Sequence, residues 1–224
     1  MPKSPYAPAD ALTNPYPYSV ATAAGLLRSH GWTVVPGGTS TCAKPGAGAG
    51  ECGAGIPART RLAFNVLYAS DPVIFGEQLT ASASEAKKVG IDITLQGGTF
   101  NHVAAVADDP GSPKTINQWA AAAVGGFGDA LYPTTIGIFS TGGSLNTGFY
   151  SNPQADRLIN ASVTSDNPSA VKAEASYLTQ QQPGLFQPNF DFIAVWKNNV
   201  SGQPTAFEAM TQYFLNTELM YLTN

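Results

Sequence analysis

The chain is expected to fold as an α/β domain with a mixed β-sheet flanked by helices. Three observations predict this. Leu62, Phe64, Val66 and Tyr68 alternate with Ala63, Asn65 and Leu67, the period of a strand with one buried face and a second, mostly apolar one. Asp71-Pro72 then opens a helical stretch from Val73 to Val89 that stops at Gly90, and Ile91, Ile93 and Leu95 alternate again. A strand, a helix of that length and a second strand allow parallel neighbours joined by a right-handed crossover.

Each element can be justified in order. Ser19 leads into a helix over Val20 to His30, with Ala23, Leu26, Leu27 and His30 on one face and Gly31 as the stop, followed by extended Trp32 to Val35. Pro36 to Pro57 holds seven glycines and three prolines and is read as a loop. After the strand–helix–strand unit, with Asp71 as the N-cap and Pro72 in the first helical position, Thr99 to Val106 is a short helix and Asp108 to Lys114 a loop. Ile116 to Val124 fits a strand or a buried helix; the run Gly125-Gly126-Phe127-Gly128 directly after it favours the strand. Helices are expected at Pro133 to Phe139, at Pro153 to Ala161 after Ser151-Asn152, and at Pro168 to Gln181 after Asp166. Phe190 to Lys197 reads as a strand and Asn198 to Gly202 as the turn that ends it, leaving the apolar-rich Phe207 to Tyr221 near the C-terminus.

Composition narrows the function classes. The chain has 224 residues, 43% of them hydrophobic, enough to bury a core in one large domain. Charged residues make up only 12%, so the polar surface rests on Ser, Thr, Asn, Gln and Gly, a composition that fits a secreted protein. The 11 Lys and Arg are scattered singly in a chain of net charge −4, which argues against a nucleic-acid partner. No apolar stretch approaches the roughly 18–20 residues that span a bilayer, and the start Met1-Pro2-Lys3-Ser4-Pro5 lacks the apolar core of an export signal.

Cys42 and Cys52 are the two cysteines, ten positions apart in the glycine-rich loop. They can form a disulfide or remain thiols. A zinc site with His30 and His102 would match no standard ligand spacing. Gly48-Ala49-Gly50-Glu51-Cys52-Gly53 satisfies the dinucleotide glycine fingerprint, but no strand precedes it and Ile56-Pro57 follows in place of a helix. No nucleophile elbow, zinc-protease or phosphate-loop pattern occurs, and among fifteen carboxylates nothing selects an acid–base pair. The chain is therefore expected to be no enzyme and to need no cofactor or metal. His30 at a helix end, His102 on a short amphipathic segment and Trp119 are expected to be structural.

Three ordered segments carry a family resemblance. Tyr18-Ser19-Val20 through Ala23, Leu26-Leu27 and Gly31-Trp32 is similar to the first helix of the C-terminal lobe of family 5 extracellular solute-binding proteins, the peptide and nickel type of ABC importers, although Ser19, Val20 and Thr22 depart from the usual Asp, Pro and Lys. Leu62 to Tyr68 followed by Val89 to Ile93 resembles that family's strand, helix and strand. Gly125-Gly126-Phe127-Gly128-Asp129, Tyr132-Pro133-Thr134 and Asn146 to Ile159 resemble its cleft strand and the helix after it.

The resemblance implies a periplasmic-binding-protein-like type II lobe over residues 18–202, with 1–17 as an N-terminal extension or hinge and 203–224 returning toward an N-terminal lobe. It implies capture of a peptide or similar small solute between two lobes, for an exported and lipid-anchored parent that serves a membrane permease. Asp129 matches the acidic residue that takes a peptide's ammonium group, a charge-assisted contact. The bare backbone of Gly125 and Gly126 would admit an extended ligand, and Phe127 and Tyr132 complete the implied contacts. The alternatives are a loop aspartate that caps the following helix and a glycine run that forms a bulge or turn. A lobe without its partner would bind weakly and expose an apolar face on which it can pair as a homodimer. A stand-alone extracellular interaction domain and a secreted hydrolase are the competing functions.

Overall fold

The computed structural model describes residues 6–10, 13–108, 119–123, 134–185, 195–202 and 219–223. Among the described residues the centre of the fold is a parallel sheet of three strands in which β3 (Ala63–Ala69) lies between β4 (Asp92–Gly98) and β5 (Ala121–Ala123). Val66 pairs with Leu95 on one side and with Ala121 on the other. α2 (Val73–Lys87) connects β3 to β4, and α3 (Phe100–Asp108) runs from β4 toward β5. The first crossover moves out to one side of β3 and the second returns across it, so right-handed connections put the two helices on opposite faces. That is where they lie. Leu67 packs with Val103 and Val106 of α3 and with Trp119, while Tyr68, on the opposite face of the strand, meets Gly76 of α2. The expected α/β class with sheets flanked by helices is the observed one.

The local signals explain the elements. Ser19 caps α1 (Val20–Ser29) by accepting from the Thr22 amide, and His30 closes it with Nδ1 2.8 Å from the Leu26 carbonyl. Of the predicted face only Ala23 and Leu27 are half-buried; Ala24 is buried and Leu26 is 52% exposed. The reason is that α1 packs mainly on β1 (Trp32–Thr33), which pairs antiparallel with β2 (Thr41–Cys42) and offers little apolar surface. At α2 the expected Asp71 cap gives way to Pro72, which sits in the N-cap position after a cis Asp71–Pro72 bond, and no side chain caps the helix. α3 starts at Thr99, whose hydroxyl accepts from the His102 amide. The core-packed Trp119, with Nε1 3.4 Å from the Val106 carbonyl, has the structural role expected of it, and His102 is exposed on α3.

The glycine-rich loop is anchored by Ser40. This fully buried hydroxyl donates to the Val89 carbonyl at 3.0 Å and accepts from the Val35 amide at 3.1 Å, and the Ser40 amide bonds Gly90 at 2.7 Å. Gly90 has φ +77, and a Cβ there would stand 2.3 Å from the Ser40 oxygen and 2.5 Å from the Val35 carbonyl. Only glycine allows this approach. Cys42 and Cys52 form a disulfide with a Cα separation of 5.8 Å, and Gly46 inside the closed loop bridges Gly53 just beyond it. The glycine fingerprint is thus a stapled hairpin. Asp92 adds a second anchor through Lys87 at 2.6 Å, Thr39 at 2.9 Å and Arg61 at 3.3 Å.

The remaining helices form their own layer. α4 (Ile136–Phe139), α5 (Pro153–Thr164) and α6 (Pro168–Gln181) bury Ala155, Ile159 and Leu178 against Phe139, Tyr150 and Tyr177. Asn152 caps α5 as expected, whereas α6 is capped by Asn167 rather than Asp166. The segment from Asn146 to Asp156 is explained by local bonding. Asn146 donates to the Ser140 and Tyr150 carbonyls and accepts from the Tyr150 amide, and Asp156 accepts from the Thr141 amide and hydroxyl at 2.8 and 2.7 Å. The N-terminal stretch spans the two layers: Tyr16 donates to the Gln180 carbonyl on α6, and Tyr18 to Glu85 on α2.

Near the C-terminus the structure departs from expectation. Of the strand predicted over Phe190 to Lys197, the described residues 195–197 are not in a strand, and the rest lie outside the described residues. Asn198 and Asn199 do turn, but Val200–Ser201 is a short strand, β6, that pairs antiparallel with β7 (Tyr221–Leu222). The pairing partner is about twenty residues away in sequence, so no local signal announces it.

Two stability predictions follow from these contacts. Replacing Cys42 and Cys52 together by alanine removes a short-loop cross-link, and urea unfolding is expected to show a loss of about 2–3 kcal/mol. Asp92 is held below the ordinary carboxyl range by its hydrogen bonds from Lys87 and then Thr39, and Asp156 by the Thr141 amide and hydroxyl. Because both folded-state values are depressed, their stabilisation is complete above the unfolded carboxyl range near about 4 and drains as pH falls through the lower folded values. The urea midpoint of the wild type should therefore exceed that of Asp92→Asn most at pH 6, and this gap should shrink toward pH 2.

Candidate functional site

The carboxyl edge of the parallel sheet is where the geometry converges. β3 leaves it through Ser70-Asp71 toward α2 on one face, and the neighbouring β4 leaves through Thr99 toward α3 on the other. Adjacent strands whose connections diverge to opposite faces open a crevice at their carboxyl ends, the general position of ligand sites in open parallel sheets. Ser70 ties the floor of this edge together: its amide and hydroxyl both donate to the Gly98 carbonyl, at 2.9 and 3.0 Å. β5 ends at the same edge, since Ala123 pairs with Tyr68.

Residues 124–133 continue directly from Ala123. The expected ligand contacts Gly125, Gly126, Phe127, Asp129 and Tyr132 are all in this stretch and lie outside the described residues. The described chain resumes at Thr134 and Thr135. Thr135 is held at once: its amide donates at 3.3 Å to Oε1 of Glu174 on α6, and its hydroxyl donates to the same oxygen. Glu174 is only 2% exposed.

Beside the carboxyl edge an open groove of about 500 Å³ runs along α2, lined by Tyr68, Ser70, Val73, Glu77 and Thr80 among others. Its aromatic wall is fixed by two glycines. A Cβ at Gly76 in the helix or at Gly97 in the strand would come within 3.1 Å of the Tyr68 ring, so the ring occupies a slot that larger residues would close. The Thr80 hydroxyl donates to the Gly76 carbonyl and the Ser70 hydroxyl to Gly98, leaving the exposed Glu77 as the charged group of the groove. An aromatic face with one exposed carboxylate suits reversible contact with an apolar or cationic group.

Tyr68 and Glu77 were not among the residues picked from sequence. The available signal was the glycine inside a helix, Gly76, together with Gly97-Gly98 at a strand end, both positions where glycine is disfavoured unless something packs close. Cys42 and Cys52, by contrast, stand far from this edge in sequence and serve the loop they staple. No group of three or more His, Cys, Asp or Glu side chains arranged to hold a metal occurs among the described residues.

Comparison with known proteins places this geometry in context. No family model matches the chain. It is 28% identical over 182 residues to Protein XP55 of Streptomyces lividans, a match covering 79% of this chain and 29% of that protein. The oligopeptide-binding protein AppA of Bacillus subtilis, solved with a nonapeptide, superposes with a TM-score of 0.66 at 19% identity, over 100% of this chain and 41% of AppA. An oligopeptide-binding protein of Thermus thermophilus, solved with a pentapeptide, gives a TM-score of 0.62 at 15% identity, over 82% of this chain and 31% of its own. The chain thus spans less than half the length of these proteins, and it shares the fold of the corresponding part of the two oligopeptide-binding proteins.

Proposed function

We propose that this chain is the C-terminal lobe of a substrate-binding component of an ABC-type importer, and that it captures peptides or similar small solutes between itself and an N-terminal lobe. The observation that carries this reading is the carboxyl edge of the sheet, where β5 ends beside two diverging crossovers and feeds the segment that bears Asp129. The fold shared with two oligopeptide-binding proteins solved with peptides, at a fraction of their length, supports it. In this reading Asp129 takes the ammonium group, Gly125 and Gly126 admit the peptide backbone, and Phe127 and Tyr132 wall the site. Residues 18–202 form the lobe, 1–17 lead in, and 203–224 return toward the upstream lobe.

The parent acts outside the cytoplasm, is lipid-anchored and delivers its solute to a membrane permease. The disulfide supports that compartment, because such bonds persist in oxidising surroundings. Binding without covalent chemistry fits a groove whose Ser70 and Thr80 hydroxyls donate to backbone carbonyls. Exposed apolar side chains at Leu185 (82%), Val195 (85%) and Leu222 (75%) give the lobe surface to bury against the upstream lobe or, in isolation, against a second copy.

The test is calorimetric titration with short peptides of this chain and of a longer chain that supplies the upstream lobe. A single lobe leaves much of a ligand hydrated, so the longer chain is expected to bind while the 224-residue chain binds at least about a hundredfold more weakly. Asp129→Ala in the longer chain should abolish binding. Peptide binding unaffected by that substitution would overturn the assigned contact, and no binding by either chain would overturn the peptide ligand.

A further inference from the structure

We propose that Glu174 is a positioning residue, whose buried carboxylate fixes Thr135, the N-cap of α4 that follows the stretch of sequence bearing Asp129. The inference rests on the peptide-binding reading, but the contact itself is independent of it. Glu174 lies on α6 between the buried Val171 and Leu178, 2% exposed, and no cation pairs with it among the described residues. Its Oε1 accepts from both the amide and the hydroxyl of Thr135, while its buried Oε2 has no hydrogen-bond partner among the described residues. A carboxylate in such a place is costly, and an apolar residue would pack α6 at less expense. What the carboxylate supplies is a pair of charge-assisted bonds to one residue.

Thr135 is where such bonds matter. It is the N-cap of α4, and its carbonyl accepts from the Ile138 and Phe139 amides at 2.9 and 2.8 Å. α4 is a single turn of four residues without a side-chain cap, and a turn that short has no stability of its own. Its place is set from outside, by Phe139 against Tyr150, by the Leu145 amide on the Gly137 carbonyl and, at its N-cap, by Glu174. Ala123, paired with Tyr68, and Thr135, bonded to Glu174, are thus the fixed points on either side of residues 124–133. The first belongs to the sheet and the second to the helical layer, so among the described residues Glu174 ties the helical layer to the residue that follows this stretch.

Hydrogen exchange on the 224-residue chain tests this without any ligand. Thr135→Val and Glu174→Ala are each expected to speed exchange at residues 134–140 by about tenfold or more, with Pro153–Thr164 changed by less than about twofold. Thr135→Ser should restore protection, and the double variant should exchange no faster than either single one. Thr135→Val keeps the size of the side chain and leaves Glu174 in place, so it decides the matter even if Glu174→Ala fails to fold. Unchanged exchange at 134–140, or an equal rise in α5, overturns the proposal. In the longer chain, Thr135→Val should weaken tetra-alanine binding about tenfold and Thr135→Ser restore it, the factor expected for one charge-assisted bond. Faster exchange with unchanged affinity overturns the positioning role. A wild-type longer chain that binds no peptide overturns the ligand reading instead, which separates the two failures.

Discussion

The pairing of β3 with a parallel strand on each side is the constraint on which the rest depends. A central strand has both rows of backbone groups bonded, from Ala63–Asp92 to Ala69–Gly98 on one side and from Val66–Ala121 to Tyr68–Ala123 on the other. Parallel neighbours cannot be joined by a tight turn, so each pairing demands a crossover, and the two crossovers run in opposite directions. Handedness then sends α2 and α3 to opposite faces. From this one arrangement come the core around Leu67, the slot for Tyr68 and the crevice at the carboxyl edge.

The amino edge of the same sheet is used for attachment rather than for binding. Ser40, Gly90 and Asp92 gather the glycine-rich loop against the turn between α2 and β4. The contact between Ser40 and Gly90 works only because no Cβ intervenes, and the disulfide shortens the loop that must be ordered to reach it. With rigid attachment at one edge, the other edge is free to carry a site. Binding residues on loops set by a rigid scaffold are the usual outcome of such a division.

The helical layer shows why polar residues in a recognisable motif need not be contacts to a ligand. Asn146, Asn152 and Asp156 belong to the segment that resembles solute-binding proteins, yet each is bonded to a neighbouring loop or helix end. Their common effect is to hold the turn after α4 and the start of α5, so that α5 and α6 meet through Ile159 and Leu178. Glu174 extends the same logic one step further, from within the layer to the chain that enters it.

Much of the fold was legible because its signals are local. Alternation marked β3 and β4, Ser19 and Asn152 marked helix starts, and Gly31 and Gly90 marked ends. The Cys42–Cys52 staple was one of the options the spacing left open. Other features were hidden, for physical reasons that can be named. Whether Asp71 or Pro72 starts α2, and whether Asn167 or Asp166 caps α6, depends on backbone geometry that several residue types satisfy. Of the site, the ligand contacts implied by resemblance fall outside the described residues, while Tyr68, Glu77 and Glu174 were not singled out beforehand. The sequence by itself determined α1, α2, α5, α6, β3 and β4, since periodicity and capping act over a few residues, but not the short strands β2 and β6. Only the tertiary structure decided that Val200–Ser201 pairs with Tyr221–Leu222, that Tyr68 lies between two glycines, and that Glu174 holds Thr135, because each joins residues whose meeting depends on how whole elements pack.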